Sequence, residues 1–195
     1  MDFGRLLTAM VTPFDDQLRV DWNRTGELID YLIERQGTDS LVVAGTTGES
    51  PTLTDEEKLE LFAFAVKRAR GRAKIIAGTG SYNTAHSIHL TKEAEKLGVD
   101  GILLVAPYYS RTSQAGLIAH FKAIAAATKL PVMIYNIPSR TGVNVEAGTM
   151  IELAKTPNIT SVKESSGDLD QMSAIIAKAP EGFRRYSGDD SLTLP

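Results

Sequence analysis

Cysteine is absent, tryptophan occurs once and histidine three times in 195 residues. Without thiols there is no disulfide framework and no thiolate chemistry. No run of about 18 apolar residues occurs, so a transmembrane helix is not expected. The opening stretch, MDFGRLLTAMVTPFDD, lacks the charged start and long apolar core of a secretory signal, and its acidic residues argue against a transit peptide. The 21 Lys and Arg against 24 Asp and Glu leave a net charge of −3. No basic block forms a stripe, which argues against a nucleic-acid footprint. The expectation is a cytoplasmic protein, with no membrane or nucleic-acid partner, folding as one domain over 1–195. A hydrophobic share of 43% and a charged share of 23% suit a globular chain with a sizeable core.

What is present is alternation. Short β-branched apolar runs recur at 6–12, 40–46, 74–80, 101–107, 131–137, 159–165 and 183–189, most of them nearly continuous, as in parallel strands buried on both faces. Helical patterns lie between them. Asp21 is placed to cap one that Gly37 stops, and Thr54 with Glu57 predicts a capping box. Asn83 or Thr84 opens a third, ending at Gly98, and 113–128, 145–155 and 168–179 supply three more.

Strands alternating with helices every 25–35 or so residues predict βα units and a parallel sheet. A dinucleotide-binding open sheet would place a Gly-rich turn after the first strand, where TPFDD stands instead. Reactive residues fall at the C-terminal ends of several strands, the signature of a TIM (β/α)8 barrel. Only about seven βα strands are found, so the barrel is expected to be incomplete, its eighth strand absent.

Lys163 lies in ITSVKES, among residues meant for burial. An apolar wall disfavours the ammonium and frees the amine to attack a carbonyl; the plain alternative is a lysine reaching into solvent. Tyr135 ends the fifth strand, where a phenol is either packing or an acid/base beside that lysine. AGTTGES (44–50) surrounds Thr46 and Thr47 with glycines, suiting either a tight turn or a carboxylate cradle. Of Tyr108 and Tyr109, one is expected to face the site and the other to pack elsewhere, for instance on a partner subunit. Arg140, in PSRTG, suits bidentate carboxylate binding or a surface ion pair. His86 and His89 lack a third metal ligand, His120 reads as structural, and Asp189 with Asp190 as loop-shaping.

In order and spacing, GTTGES, PYY, YNIPSRTG, VKESSGDL and YSGDD resemble the dihydrodipicolinate synthases (4-hydroxy-tetrahydrodipicolinate synthases), a family of class I aldolases in the N-acetylneuraminate lyase superfamily. The likeness runs from TAMVTPF to Pro195. It implies that Lys163 forms a Schiff base with pyruvate, whose enamine adds to L-aspartate 4-semialdehyde on the way to diaminopimelate and lysine. It also implies a proton relay of Tyr135, Thr47 and Tyr109, the last donated to a neighbouring subunit. Thr46 and Thr47 match the pyruvate-carboxylate loop, Arg140 the group holding the semialdehyde's carboxyl end, and Gly188 a backbone contact near the lysine. No metal or organic cofactor is implied, and the full-length form is expected to be a homotetramer, a dimer of dimers.

Two departures stand out. Family members run roughly a hundred residues longer, and the resemblance implies a C-terminal helical region, absent here as the eighth strand is, so the chain alone is expected to be loosely folded and inactive. Asp55, Lys58, Tyr82 and His86 replace the groups of lysine-inhibited members, so little inhibition by lysine is expected. The competing readings are an N-acetylneuraminate lyase or 2-keto-3-deoxy-sugar-acid aldolase, which Arg140 argues against, and an inactive truncated barrel fragment.

Overall fold

A computed structural model describes residues 2–193. Seven strands alternate with seven helices: β1 Leu7–Ala9, α1 Trp22–Glu34, β2 Ser40–Val43, α2 Asp55–Ala69, β3 Lys74–Gly78, α3 Thr84–Lys96, β4 Gly101–Val105, α4 Gln114–Ala125, β5 Val132–Asn136, α5 Pro138–Thr141, α6 Ala147–Leu153, β6 Ile159–Glu164, α7 Leu169–Lys178 and β7 Arg184–Ser187. Short 3-10 turns follow at Ser50–Thr52 and Asp190–Leu192. The strands are ordered β1 to β7 without reversal. A doubly wound sheet would reverse at a switch point, so this is the topology of the (β/α)8 barrel, with seven of its strands present.

The chain divides into two compact units, residues 2–79 with 90–102, and residues 80–89 with 103–193. In the first, β1 pairs with β2 and β2 with β3, all parallel. All four residues of β2 are buried, and Phe3, Ile29, Leu61, Phe62 and Ile75 are almost fully shielded. Asp21 caps α1 by accepting from the Arg24 amide. Thr54 and Glu57 close the predicted capping box on α2, satisfying two backbone donors the helix cannot pair itself.

In the second unit, β5 pairs with β6 and β6 with β7, again parallel. Every residue of β5 is buried, whereas three of the four in β7 are exposed. The core here gathers Leu104, Leu117, Phe121, Ile134 and Val162. Ser113 and Asp168 cap α4 and α7 through their side chains.

The strands are shorter than their apolar runs predict, because the last residues of each run leave the ladder to form the connecting loops. The 145–155 helix shrinks to α6, and α1 ends at Glu34, short of Gly37. No helix among the described residues is long and apolar enough to cross a membrane.

Candidate active site

The register between β5 and β6 sets the reactive pair. Tyr135 is the partner of Lys163, and Asn136 of Glu164. Residues paired across a ladder share a face, so the phenol and the amine project together while Asn136 and Glu164 project oppositely. Lys163 Nζ lies 4.4 Å from the centroid of the Tyr135 ring. The ring is 5% exposed and the lysine half-buried. Burial pushes the Lys163 ammonium below the ordinary lysine range; Asp190 opposes this and Arg140 adds to it. The result is a larger share of free amine near neutrality, which is what attack on a carbonyl requires.

Gly188 lies beside the lysine. Its amide donates to Glu164 O at 2.9 Å. A Cβ there would lie 2.9 Å from Lys163 Cε and 3.0 Å from Cγ, and would collide with Ser165 Oγ. Only glycine allows β7's end to approach the lysine stem this closely. Arg140 sits on α5, not on a free loop, and its side chain is exposed. The two tyrosines after β4 differ in setting. Tyr108 is half-buried, with Tyr82 edge-on at 5.3 Å, whereas Tyr109 is 92% exposed. The Tyr109 backbone is left-handed at φ 74°, which costs a non-glycine residue energy, and its amide donates to Thr141 O at 3.2 Å.

In the first unit, the loop after β2 turns sharply at Ala44 and Glu49, both with positive φ. The Glu49 amide donates to Thr46 O at 3.0 Å and the Ser50 amide to Gly45 O at 3.2 Å. Thr12 Oγ1 donates to Gly48 O at 2.7 Å. A Cβ on Gly48 would meet Met10 O at 3.1 Å, so this glycine serves backbone packing within the unit. Thr46 and Thr47 are exposed.

The residues that composition and pattern did not single out are Asn136 and Glu164. Asn136 is fully buried and Glu164 is 4% exposed. Asn136 Nδ2 and the Ser166 amide donate to Glu164 Oε1, each at 2.9 Å, and Gln171 Nε2 donates to Oε2 at 3.4 Å. Burial pushes the carboxyl up, and the donors on Ser166, Asn136 and Gln171 draw it back. The sequence signal was available: each is the neighbour of a reactive residue, and a carboxylate in a buried strand demands partners.

The discounted groups have ordinary settings. His86 Nδ1 meets Ser81 Oγ at 3.2 Å. His120 is buried, its Nδ1 2.8 Å from Thr84 Oγ1, and burial pushes its pKa down to about 4. Asp189 caps the turn at Asp190–Leu192 by accepting from the Ser191 amide. Lys58 is buried and ion-paired with Asp55 at 3.6 Å.

The sequence profile of the Dihydrodipicolinate synthetase family matches residues 2–195. The 4-hydroxy-tetrahydrodipicolinate synthase of Bacillus velezensis is 58% identical over 195 residues, covering 100% of this chain and 67% of the relative. That of Moorella thermoacetica is 60% identical, covering 66% of its length. The crystal structure of a Bacillus anthracis dihydrodipicolinate synthase superposes with a TM-score of 0.98 at 51% identity, over 100% of this chain and 66% of that one. The chain thus spans about two thirds of the length of these relatives. By profile, sequence and fold, it belongs to the dihydrodipicolinate synthetase family.

Proposed function

We propose that the chain carries the Schiff-base machinery of a 4-hydroxy-tetrahydrodipicolinate synthase, condensing pyruvate with L-aspartate 4-semialdehyde in lysine and diaminopimelate biosynthesis. The observation that carries this is the half-buried Lys163 amine, shifted toward its free form and lying against Tyr135. The amine nitrogen attacks C2 of pyruvate, and the carbonyl oxygen leaves as water to give an iminium. Loss of a C3 proton gives the enamine, whose C3 forms a bond to the aldehyde carbon while the aldehyde oxygen takes up a proton. The substrate's own amine then displaces Lys163 from C2 and closes the ring.

Tyr135 is the acid/base beside the nitrogen, its phenol on the same strand face. Thr47 and Tyr109 complete the relay by family resemblance, Thr46 and Thr47 take the pyruvate carboxylate, Arg140 the second carboxylate, and Gly188 offers its backbone beside the lysine. Lys163 supplies the electron sink itself, so the reading calls on no cofactor. By family resemblance the full-length enzyme is a homotetramer, and the near-complete exposure of Tyr109 leaves this ring open to a neighbouring copy. We place the enzyme in the cytoplasm, where both substrates are soluble metabolites.

Incubation of the full-length enzyme with pyruvate and borohydride, followed by peptide mass mapping, tests the reading. Covalent gain on Lys163 alone is the expected result. Label on a different lysine, or on none, removes it.

A further inference from the structure

Behind the reactive pair lies a second pair, one residue further along each strand. Asn136 Nδ2 donates to Glu164 Oε1 and also to Asn144 Oδ1, each at 2.9 Å. Asn136 Oδ1 accepts from the Val145 amide at 2.9 Å. Asn144 Nδ2 donates to Gln171 Oε1 at 2.8 Å, and Gln171 Nε2 returns to Glu164 Oε2 at 3.4 Å. The backbone follows the same path: the Ser165 amide donates to Asn136 O at 2.8 Å and the Gly188 amide to Glu164 O at 2.9 Å. One connected set therefore joins the ends of β5, β6 and β7 to the start of α7.

Every donor to the Glu164 carboxyl in this set is neutral. A buried carboxylate without a cation is an expensive choice for stability alone, since apolar residues of similar volume serve a strand-to-helix contact as well or better. What it provides is direction. Two oxygens accept from three fixed donors, so β6 cannot slide or rotate against β5 without stranding a buried charge. The reactive atoms sit one residue away in the same register, and their chemistry tolerates little error: a displacement of about 1 Å costs on the order of 100-fold in rate.

We infer that Glu164 and Asn136 are positioning residues, holding Lys163 and Tyr135 in the register that imine formation requires. The inference rests on the Schiff-base reading above. They touch neither substrate nor nitrogen and act through the two strands.

The test is the rate of borohydride trapping of pyruvate on Lys163 as pyruvate is varied, in the full-length wild type and five variants. Glu164→Ala and Asn136→Ala are each expected to lower the maximal rate about 10- to 100-fold while the half-saturating concentration moves less than about threefold. The double variant is expected to be no slower than the worse single one, because both break one device. Glu164→Gln keeps an acceptor for Asn136 and Ser166 and is expected to recover the rate to within about fivefold of wild type.

Asn144→Ala removes a half-buried margin of the set, and a folded variant with a loss of about threefold or more is expected. It decides the matter if the alanine variants at 136 and 164 do not fold. A folded Glu164→Ala or Asn144→Ala at the wild-type rate, or losses that simply multiply, would overturn the inference while leaving the Schiff-base reading intact. Full-length wild type unlabelled at Lys163 would remove both.

Discussion

Two carboxylates, one in each unit, draw on several donors and do opposite things. Asp30, on α1, accepts from the guanidinium groups of Arg68, on α2, and Arg72, just beyond it, and these hold its carboxyl below the usual range. Glu164, on β6, has only neutral donors and is pushed up by burial. The first is a helix-to-helix tie near solvent, where water and salt compete for each charge and little net stability results. The second is dry, and its failure strands a charge. Charge pairs on a surface can be lost cheaply, whereas a buried acceptor fixes the geometry around it. It is the buried kind that stands behind the reactive lysine.

The largest break in that comparison is Lys163→Ala, which is expected to abolish pyruvate-dependent labelling, while Asp30→Ala labels like wild type. Equal labelling of Lys163→Ala and wild type would place the nucleophile elsewhere. Tyr135→Phe keeps the ring and removes the proton, and a fall of about 10²- to 10⁴-fold in imine formation is expected. A loss below tenfold would reduce Tyr135 to packing. Gly188→Ala drives a methyl against Lys163 Cε and Cγ; a cost of about 1–3 kcal/mol in stability, together with slower labelling, is expected by overpacking. Urea denaturation and trapping on one preparation check both parts.

A smaller effect separates the two carboxylates by sign. Glu164 has a folded pKa above its ordinary 4.5. Its contribution is fully present below about 4.5 and is lost as pH rises through the folded value. Asp30 has a folded pKa below 3.8, so its contribution is present above 3.8 and is lost as pH falls through the lower value. As pH falls from 7 toward 4.5, wild type is expected to gain stability relative to Glu164→Gln. Below 3.8, it is expected to lose stability relative to Asp30→Asn. Subtracting variant from wild type cancels the other titrating groups, His120 among them. The same sign for both differences would show that burial does not dominate at Glu164.

The smallest expected effect is at the surface tie itself. Asp30→Ala should cost below about 1 kcal/mol in urea unfolding, shrinking further at high salt. A larger, salt-insensitive loss would make the tie as structural as the buried one.

Much of this was visible in residue order. The seven strands announced themselves because parallel strands are buried on both faces and leave long apolar runs, as in SLVV and VMIYN. Thr54 with Glu57 is a local capping arrangement, settled within one helical turn, so pattern alone located it. Strand ends were overrun because apolar character continues past the last ladder bond into the loops. The helical turn at Pro138–Thr141 was missed for a related reason: four residues are too few to display a period, and Pro138 suits a loop or a first helical turn equally well.

For the site, residue type and position identified Lys163 and Tyr135 as candidates, and the family resemblance added Gly188 and assigned the roles. Their relation was a tertiary matter. That Tyr135 faces Lys163, and not Glu164, depends on a one-residue register with an irregularity between Val132 and Met133. No local rule forecasts such a shift, and a slip of one would turn every side chain to the other face. The lowered basicity of Lys163 likewise depends on burial supplied by distant residues, and the Glu164 network on donors from Asn136 and Gln171, 28 and 7 positions away. Sequence determined which chemical groups this protein possesses and the order of the strands that carry them, because capping and hydrophobic periodicity are short-range. Which groups meet, and how basic or acidic they become on meeting, was decided only by tertiary structure, because register and desolvation are properties of neighbours in space.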